Sequence, residues 1–354
     1  VLFKKNKDYE ILFITNLPSF YKVNLFNELS KKTHIKVLFI SDKSLIRNED
    51  FYGKELLFDY EIVTNVPYEN RNSLLVAFRL FKAVFTTRYK KIIYSGWESK
   101  ELIFFPFITA KSKNGIVIES SILETKATGI HWVLKKFIIN RMSYAFPSGS
   151  LQNKILDKAG FKGEVFITHG VGISNFQKRN VVVMKDNMAK NENLKFLYVG
   201  RLSREKNLSI LIEAFSQTQH KLIIAGSGEE FTHLKNKATN NVTFLGYVDN
   251  TSLVEIYAGC DCFVLPSLSE PWGLVVEEAL SMGLPVILSD KVGCHEDMVN
   301  AHNGIIFDAT NSNSLLLAIS NMAENIDSFK AAAATYDPLE NQQKQLSAYL
   351  RSLK

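Results

Sequence analysis

Glu270 and Glu278 stand on either side of Gly273 in the stretch Pro266-Ser267-Leu268-Ser269-Glu270-Pro271-Trp272-Gly273-Leu274-Val275-Val276-Glu277-Glu278-Ala279. A carboxylate offers two acceptor oxygens, which suits the vicinal diol of a ribose or a sugar ring. Gly273 lets the backbone approach a ligand, and the free N–H groups of a helix starting there, with its dipole, suit a diphosphate. Upstream, Gly200-Arg201-Leu202-Ser203-Arg204-Glu205-Lys206-Asn207 sets Arg201 and Lys206 before a second helix. Arg brings a planar fork and Lys a point charge to the same kind of anion, while Glu205 offers the plainer alternative of a salt-bridged loop.

The elements that must hold these residues run from Asp261 to Val299. Cys262 to Leu265 is an apolar run stopped by Pro266, as expected of a buried parallel strand. From Leu274 to Met282 the spacing turns helical, with Val275/Ala279 and Val276/Leu280 as apolar pairs, until Gly283 and Pro285 end it. Val286-Ile287-Leu288 is the next strand. The loop therefore lies at the carboxyl end of a strand, where open α/β sheets bind ligands.

The same alternation fills the chain. Ile11 to Ile14, Ile35 to Ile40, Ile92 to Tyr94, Gly115 to Ile118 and Val165 to Ile167 read as strands, with helices at about Tyr21 to Lys32, Leu134 to Met142 and Leu151 to Ala159. Polar residues from Ser174 to Glu192 read as a linker. Beyond it, strands at Leu194 to Val199, Lys221 to Ala225 and Val242 to Leu245 end at Gly200, at Gly226-Ser227-Gly228 and at Gly246-Tyr247-Val248. Each of these is a ligand-facing loop in a doubly wound sheet. Ile305 to Phe307 is a last strand, and the tail is helical except at Asp337-Pro338.

Glu270 and Glu278-Ala279, with Gly273-Leu274-Val275 between them and Gly283-Leu284-Pro285-Val286 after, resemble the retaining glycosyltransferases of family 4. The resemblance is dense over residues 194–310 and thin elsewhere. It implies an α/β chain of GT-B architecture, two Rossmann-like domains facing a cleft: an acceptor-binding domain at 1–175, with the final helix (about 339–354) packing back on it, and a nucleotide-sugar-binding domain at 176–338. It assigns Arg201, Lys206 and Glu270 to catalysis. Donor binding goes to Gly200, Gly226, Gly228, Tyr247, Val248, Trp272, Gly273, Leu274, Val275 and Glu278, with Tyr247 and Val248 meeting the base through the main chain.

The implied reaction is a retaining, metal-independent transfer of a sugar from a nucleotide donor to an acceptor hydroxyl, with no cofactor. Arg201 and Lys206 stand in for a cation, because the leaving diphosphate gains negative charge in the transition state. Two rivals are a GT-B sugar-nucleotide epimerase and a non-catalytic nucleotide-sugar-binding subunit. The N-terminal half departs from many members. Its first loop is Leu17-Pro18-Ser19-Phe20-Tyr21-Lys22 where they carry a Gly-Gly pair, and Glu119-Ser120-Ser121 stands where they carry a histidine. Ser19, Tyr21, Lys22, Glu119 and His169 are the acceptor-side candidates. Helix capping by Ser120 or Ser121, and a structural role for His169, are the alternatives. In His169-Gly170-Val171-Gly172, glycine replaces the aspartate frequent at the last position.

Composition sets the remaining bounds. Residues 1–172 carry 26 Lys and Arg against 16 Asp and Glu, whereas the rest carries 16 against 20, within a net charge of +6 over 354 residues. The basic half suits an anionic partner, either a membrane surface or a phosphorylated acceptor, or is simply a basic solvated face. No nucleic-acid-binding module is found. Between Leu74 and Lys91, Phe78, Phe81 and Phe85 recur at helical spacing among Arg79, Lys82, Arg88, Lys90 and Lys91, which reads either as core or as an interfacial membrane helix. Without a signal-type apolar core or a spanning run, the expected location is the cytoplasm, peripheral on the inner face of the membrane if the basic half binds lipid. Cys260, Cys262 and Cys294 fit reduced structural thiols.

Overall fold

The structure is a computed structural model that describes residues 8–53, 55–97, 99–175 and 193–354. Most of the expected linker lies outside the described residues. The chain divides into two compact units, Val1–Asn175 with Gln342–Lys354, and Phe176–Asn341. Among the described residues no helix is long and apolar enough to cross a membrane.

The first unit runs β1 (Asp8–Thr15), α1 (Phe20–Ser30), β2 (Ile35–Ser41), β3 (Asp59–Thr64), α2 (Ser73–Thr86), β4 (Arg88–Tyr94), α3 (Phe105–Ile108), β5 (Asn114–Ile118), α4 (Gly129–Ile139), β6 (Tyr144–Pro147), α5 (Ser150–Ala159) and β7 (Glu164–Val165). Its strands form one parallel sheet in the order β3-β2-β1-β4-β5-β6-β7. Period-two alternation splits β1 between two cores. Leu12 and Ile14 meet α2, α3, α4 and α5 on one face, while Ile11 and Phe13 meet α1 and the end of the chain on the other.

The second unit runs β8 (Lys195–Val199), α6 (Leu208–Phe215), β9 (Lys221–Ala225), α7 (Phe231–Lys237), β10 (Val242–Gly246), α8 (Leu253–Ala258), β11 (Cys262–Leu265), α9 (Leu274–Ser281), β12 (Val286–Ser289), α10 (His295–Met298), β13 (Gly304–Phe307), α11 (Ser312–Glu324) and α12 (Ile326–Ala333). Its parallel sheet has the order β10-β9-β8-β11-β12-β13. The last helix, α13 (Pro338–Arg351), begins in this unit and continues into the first.

Four features differ from the sequence reading, the first being the short strand β6, which was not expected. β3 was not expected, because Asp59, Tyr60 and Glu61 are exposed and leave only a short apolar run to see. The helix expected to reach Lys91 stops at Thr86, where Thr87 turns extended; Arg88, Lys90 and Lys91 then open β4. The aromatic stripe of α2 is not core. Val76, Leu80, Ala83 and Val84 face the sheet, and Phe78, Phe81 and Phe85 face outward, Phe78 being 69% exposed. The three cysteines are buried and unpaired, as read.

Tyr349 of α13 stacks on Phe146 at 4.8 Å and meets Phe13 edge-on at 5.6 Å, so the chain's end completes the core of the first unit. Truncating a buried aromatic removes its transfer energy and leaves a cavity. Tyr349→Ala is expected to destabilise this unit by about 3–5 kcal/mol. Chemical denaturation should show its transition moving to lower denaturant while the second unit's transition stays in place.

Candidate functional site

In the second unit the sheet order reverses between β8 and β11, so the loops leaving these two strands diverge and open a crevice. The loop after β8 carries Arg201 and Lys206, and the loop after β11 carries Glu270. Lys206 Nζ pairs with Glu270 Oε2 across this point, both side chains being about six-sevenths buried. The backbone ties the loops as well, with Leu268 N donating to Glu205 O at 2.8 Å. Asn207, in the left-handed region at φ 57°, donates its side-chain amide to the carbonyls of Pro266 and Ala309. Lys206 is thereby held against Glu270 and largely out of bulk solvent.

Glycine decides how closely the neighbouring loops approach. Gly226 has φ +146°, and a Cβ there would lie 1.8 Å from Gly200 O. Gly200 N donates to Ala225 O, Gly226 N to Gly246 O, and Leu202 N to Ser227 O. The loops bearing Gly200, Gly226, Gly228, Tyr247 and Val248 are thus laced into one rim. Tyr247 is exposed on it. Arg201 lies at the same rim, paired with Glu205 at 3.2 Å, and Glu205 is itself fixed by the Ser203 hydroxyl at 2.6 Å. That hydroxyl, and then the Arg201 and Lys206 charges, hold the Glu205 carboxyl below its ordinary range. Arg201 is largely exposed and Glu205 partly so, and a solvent-screened pair of this kind is cheap to break for an anionic ligand. Arg204 is more exposed still, 3.5 Å from Glu230.

On the other side, Gly273 at φ +103° turns the chain into α9. Glu270 N and O pair with Lys291 and Gly293, and Trp272 O accepts from Cys294 N, so the loop is seated along the segment after β12. Leu274 and Val275 begin the helix with their amides at the loop. Two donor-side candidates lie deeper than the sequence suggests. Trp272 is 2% exposed and donates its indole N–H to Glu277 Oε1 at 2.5 Å. Glu278 is 4% exposed, with Oε2 accepting from the Tyr257 hydroxyl at 3.3 Å. Glu277, which the sequence reading passed over, is equally buried, and its second oxygen accepts from Asn341 at 3.2 Å. Burial pushes both carboxyls up from 4.5 to about 8, against the hydrogen bonds that favour ionisation.

The first unit gathers the acceptor-side candidates. Lys22 Nζ lies 3.0 Å from Glu119 Oε1 and 3.4 Å from Thr15 Oγ1, beside Ser95 and Tyr349. Burial, the largest single influence, opposes the Lys22 ammonium, but the Glu119 charge and hydrogen bond, with Tyr21 and Tyr349, together outweigh it and the net shift is upward. Lys22 therefore stays protonated, with its charge countered by Glu119. Ser19 is buried at the start of α1 and Tyr21 packs edge-on against Phe20 and Phe51. Ser120 and Ser121 cap no helix, since the chain passes through turns before α4 starts at Gly129. His169 is half-buried with φ 56°. Gly172 has φ +152° and a Cβ there would lie 2.6 Å from Tyr21 O, so the residue frequent at this position in the resembling family would not fit.

Residues 183–335, less than half of the chain, match the family of glycosyl transferases group 1. An uncharacterized glycosyltransferase of Methanocaldococcus jannaschii is 36% identical over 128 residues, which cover 34% of this chain and 33% of that protein. The alignments with the first curated relatives thus span about a third of those proteins' length. The capsular polysaccharide biosynthesis glycosyltransferase CapM of Staphylococcus aureus is 27% identical over 286 residues, covering 72% of this chain and 74% of CapM. Among solved structures, Anabaena HepE in complex with UDP and glucose superimposes with a TM-score of 0.69 at 20% identity, covering 97% of this chain and all of HepE. The fold is that of the GT-B glycosyltransferases, two Rossmann-like parallel sheets. The second unit carries a group 1 glycosyltransferase domain.

The buried carboxyls make stability depend on pH. A carboxyl whose folded pKa is raised leaves the folded state holding more protons than the unfolded chain between the two values, so stability falls as pH rises from about 4.5 to about 8. His220, lowered by burial, works in the opposite sense but only below its ordinary 6.5. Between about pH 6.5 and pH 8 the melting temperature of the second unit is expected to fall. In Glu277→Gln/Glu278→Gln that slope should flatten, as read by calorimetry across this range.

Proposed function

We propose that the chain is a retaining glycosyltransferase that moves a sugar from a nucleoside diphosphate donor to an acceptor hydroxyl. The observation that carries this reading is the Lys206–Glu270 pair at the point where the second sheet reverses, beside the start of α9 and below the rim that holds Arg201. The group 1 domain and the named activities of the relatives support it. A diphosphate entering there would meet Lys206, Arg201 and the first amides of α9. Glu278, at the base, accepts from the diol of the nucleoside, which would take the place of the Tyr257 contact.

As the bond from the sugar to the diphosphate lengthens, charge builds on the leaving oxygens, and Arg201 and Lys206 stabilise that charge more than the ground state. Glu270 holds the Lys206 ammonium in line and offers its other oxygen to the sugar. In this reading the cations do the work that a divalent metal does elsewhere, and no cofactor takes part. Retention follows from departure and attack on one face, with the donor phosphate taking the acceptor's proton. The acceptor is a growing surface glycan or a lipid-linked one at an anionic membrane surface. The capsular relative and the basic first half support that assignment.

The deciding experiment offers the purified protein a panel of nucleotide sugars and follows slow hydrolysis, with the anomeric configuration of the first-formed sugar read by NMR. Cleavage of one donor with retention supports the reading; release of an altered sugar nucleotide would assign an epimerase, and binding without turnover a silent subunit. Glu278→Ala is expected to weaken donor binding by about 1.5–3 kcal/mol, measured by calorimetry, and unchanged affinity would remove the diol role. Arg201→Ala and Lys206→Ala should lower kcat more than they raise KM, and wild-type turnover should survive a chelator. A strict need for added divalent metal would overturn the role given to the two cations.

A further inference from the structure

Helix α4 has apolar residues on both sides. Trp132, Ile138 and Ile139 face the sheet, as any helix covering a sheet requires. Ile130, Val133, Leu134 and Phe137 follow at i, i+3, i+4 and i+7 on the opposite side, and they are 73%, 55%, 53% and 64% exposed. An amphipathic helix on a water-facing surface carries polar residues in those places. A second stripe of this kind needs a second apolar surround.

The stripe does not stand alone. Phe107, next to α4 in space, stacks with Phe137 at 6.3 Å, and Phe104 beside it is 73% exposed. A cavity of about 370 Å³, lined by Val133, Lys136, Phe137, Asn140 and Arg141, opens at the end of α4. Helices α2, α3 and α4 cover the same face of the first sheet, so the outward phenylalanines of α2 belong to the same side of this unit. Ser73–Thr86, Phe105–Ile108 and Gly129–Ile139 contain no Asp or Glu, but they hold Arg79, Lys82, Lys135 and Lys136. Exposed apolar side chains among cations, with no carboxylate, match one surround: the headgroup and upper acyl region of an anionic bilayer. A second copy of the chain fits poorly, because a two-fold contact would set this cationic face against itself.

We propose that the outer surface of α3 and α4, extended by α2, docks this protein on anionic membranes, with Phe104, Phe107, Val133 and Phe137 entering the lipid and Lys136 meeting lipid phosphate. The inference rests on the lipid-linked reading of the acceptor and names the surface that would reach it. Arg79 is less free to serve, because its guanidinium donates to Val63 O at 3.0 Å and ties α2 to β3.

The test is sedimentation with vesicles of phosphatidylcholine alone and of phosphatidylcholine with phosphatidylglycerol, at low and high salt, with no donor present. Wild type should bind the anionic vesicles at least tenfold more tightly, and salt should weaken that binding. Val133→Asp/Phe137→Asp and Lys136→Glu should each weaken it at least tenfold. Both sets lie on the surface, and unchanged melting curves would show that they fold. No anionic preference in wild type, or equal binding by the folded variants, would overturn the proposal. A dimer seen by sedimentation velocity that disappears in Val133→Asp/Phe137→Asp would overturn it too, by giving the face to a second copy. Nucleotide-sugar binding is measured on the same samples without lipid. If donor binding fails while vesicle binding holds, the fault lies with the proposed transfer and not with the docking face.

Discussion

The reversal of strand order between β8 and β11 is the constraint on which the second unit depends. A parallel sheet with helices on both faces places its loops at the carboxyl ends of the strands, and only where the order reverses do two neighbouring loops part. Lys206 and Glu270 meet at that parting, one from each loop. A buried pair of this kind is expensive to desolvate and seldom retained for stability alone. Its place at the reversal, one partner from each loop, sets it where a doubly wound sheet binds ligands. The laced rim lies beside it, where Gly226 N donates to Gly246 O and Gly200 N to Ala225 O.

Glu277 and Glu278 are adjacent in sequence and serve different neighbours. Glu278 faces Tyr257 of α8, whereas Glu277 joins Trp272 of the loop after β11 to Asn341 in the first turn of α13. Through Glu277, the seat of Trp272, and so the turn at Gly273, is tied to the helix that carries the chain back to the first unit. Deep burial is what pushes both carboxyls up. A carboxyl kept neutral by its surroundings can still accept, and it gains charge only when a ligand's donors supply the hydrogen bonds that water no longer does.

In the first unit, the departures from the resembling family have local causes. Gly172 is held against Tyr21 O, and its own carbonyl accepts from Gln345 of α13, so no larger residue has room there. Glu119 sits opposite Lys22, which changes a cation beside the strand ends into a neutral pair. This pair, with the Thr15 hydroxyl against it, presents hydrogen-bonding groups in place of a net charge. The outward aromatic side chains of α2, α3 and α4 lie on the sheet face opposite to α1, so docking there would leave the α1 side uncovered.

The alternation of short apolar runs with helical spacing was enough to read both sheets as parallel, because strands buried on two faces leave unbroken Val, Ile and Leu. Gly273 before a helix and Gly283-Leu284-Pro285 after it located α9 to within a residue. Charged or short elements were not legible: β3 shows too little apolar sequence, and Arg88 to Lys91 read as helix because four residues of helical spacing and four of strand differ only in what surrounds them. The sequence could count Glu270, Glu277, Glu278, Lys206 and Arg201, but it could not say which would meet. That Lys206 takes Glu270, Arg201 takes Glu205, and Glu277 takes Trp272 was decided by the tertiary structure. Burial, on which those pairings and the raised carboxyl pKa values depend, arises only when distant segments pack. The same holds for the phenylalanines of α2. Their spacing was written in the chain, and whether they faced the sheet or the outside waited on the fold, because Val76, Leu80, Ala83 and Val84 competed for the same core and filled it.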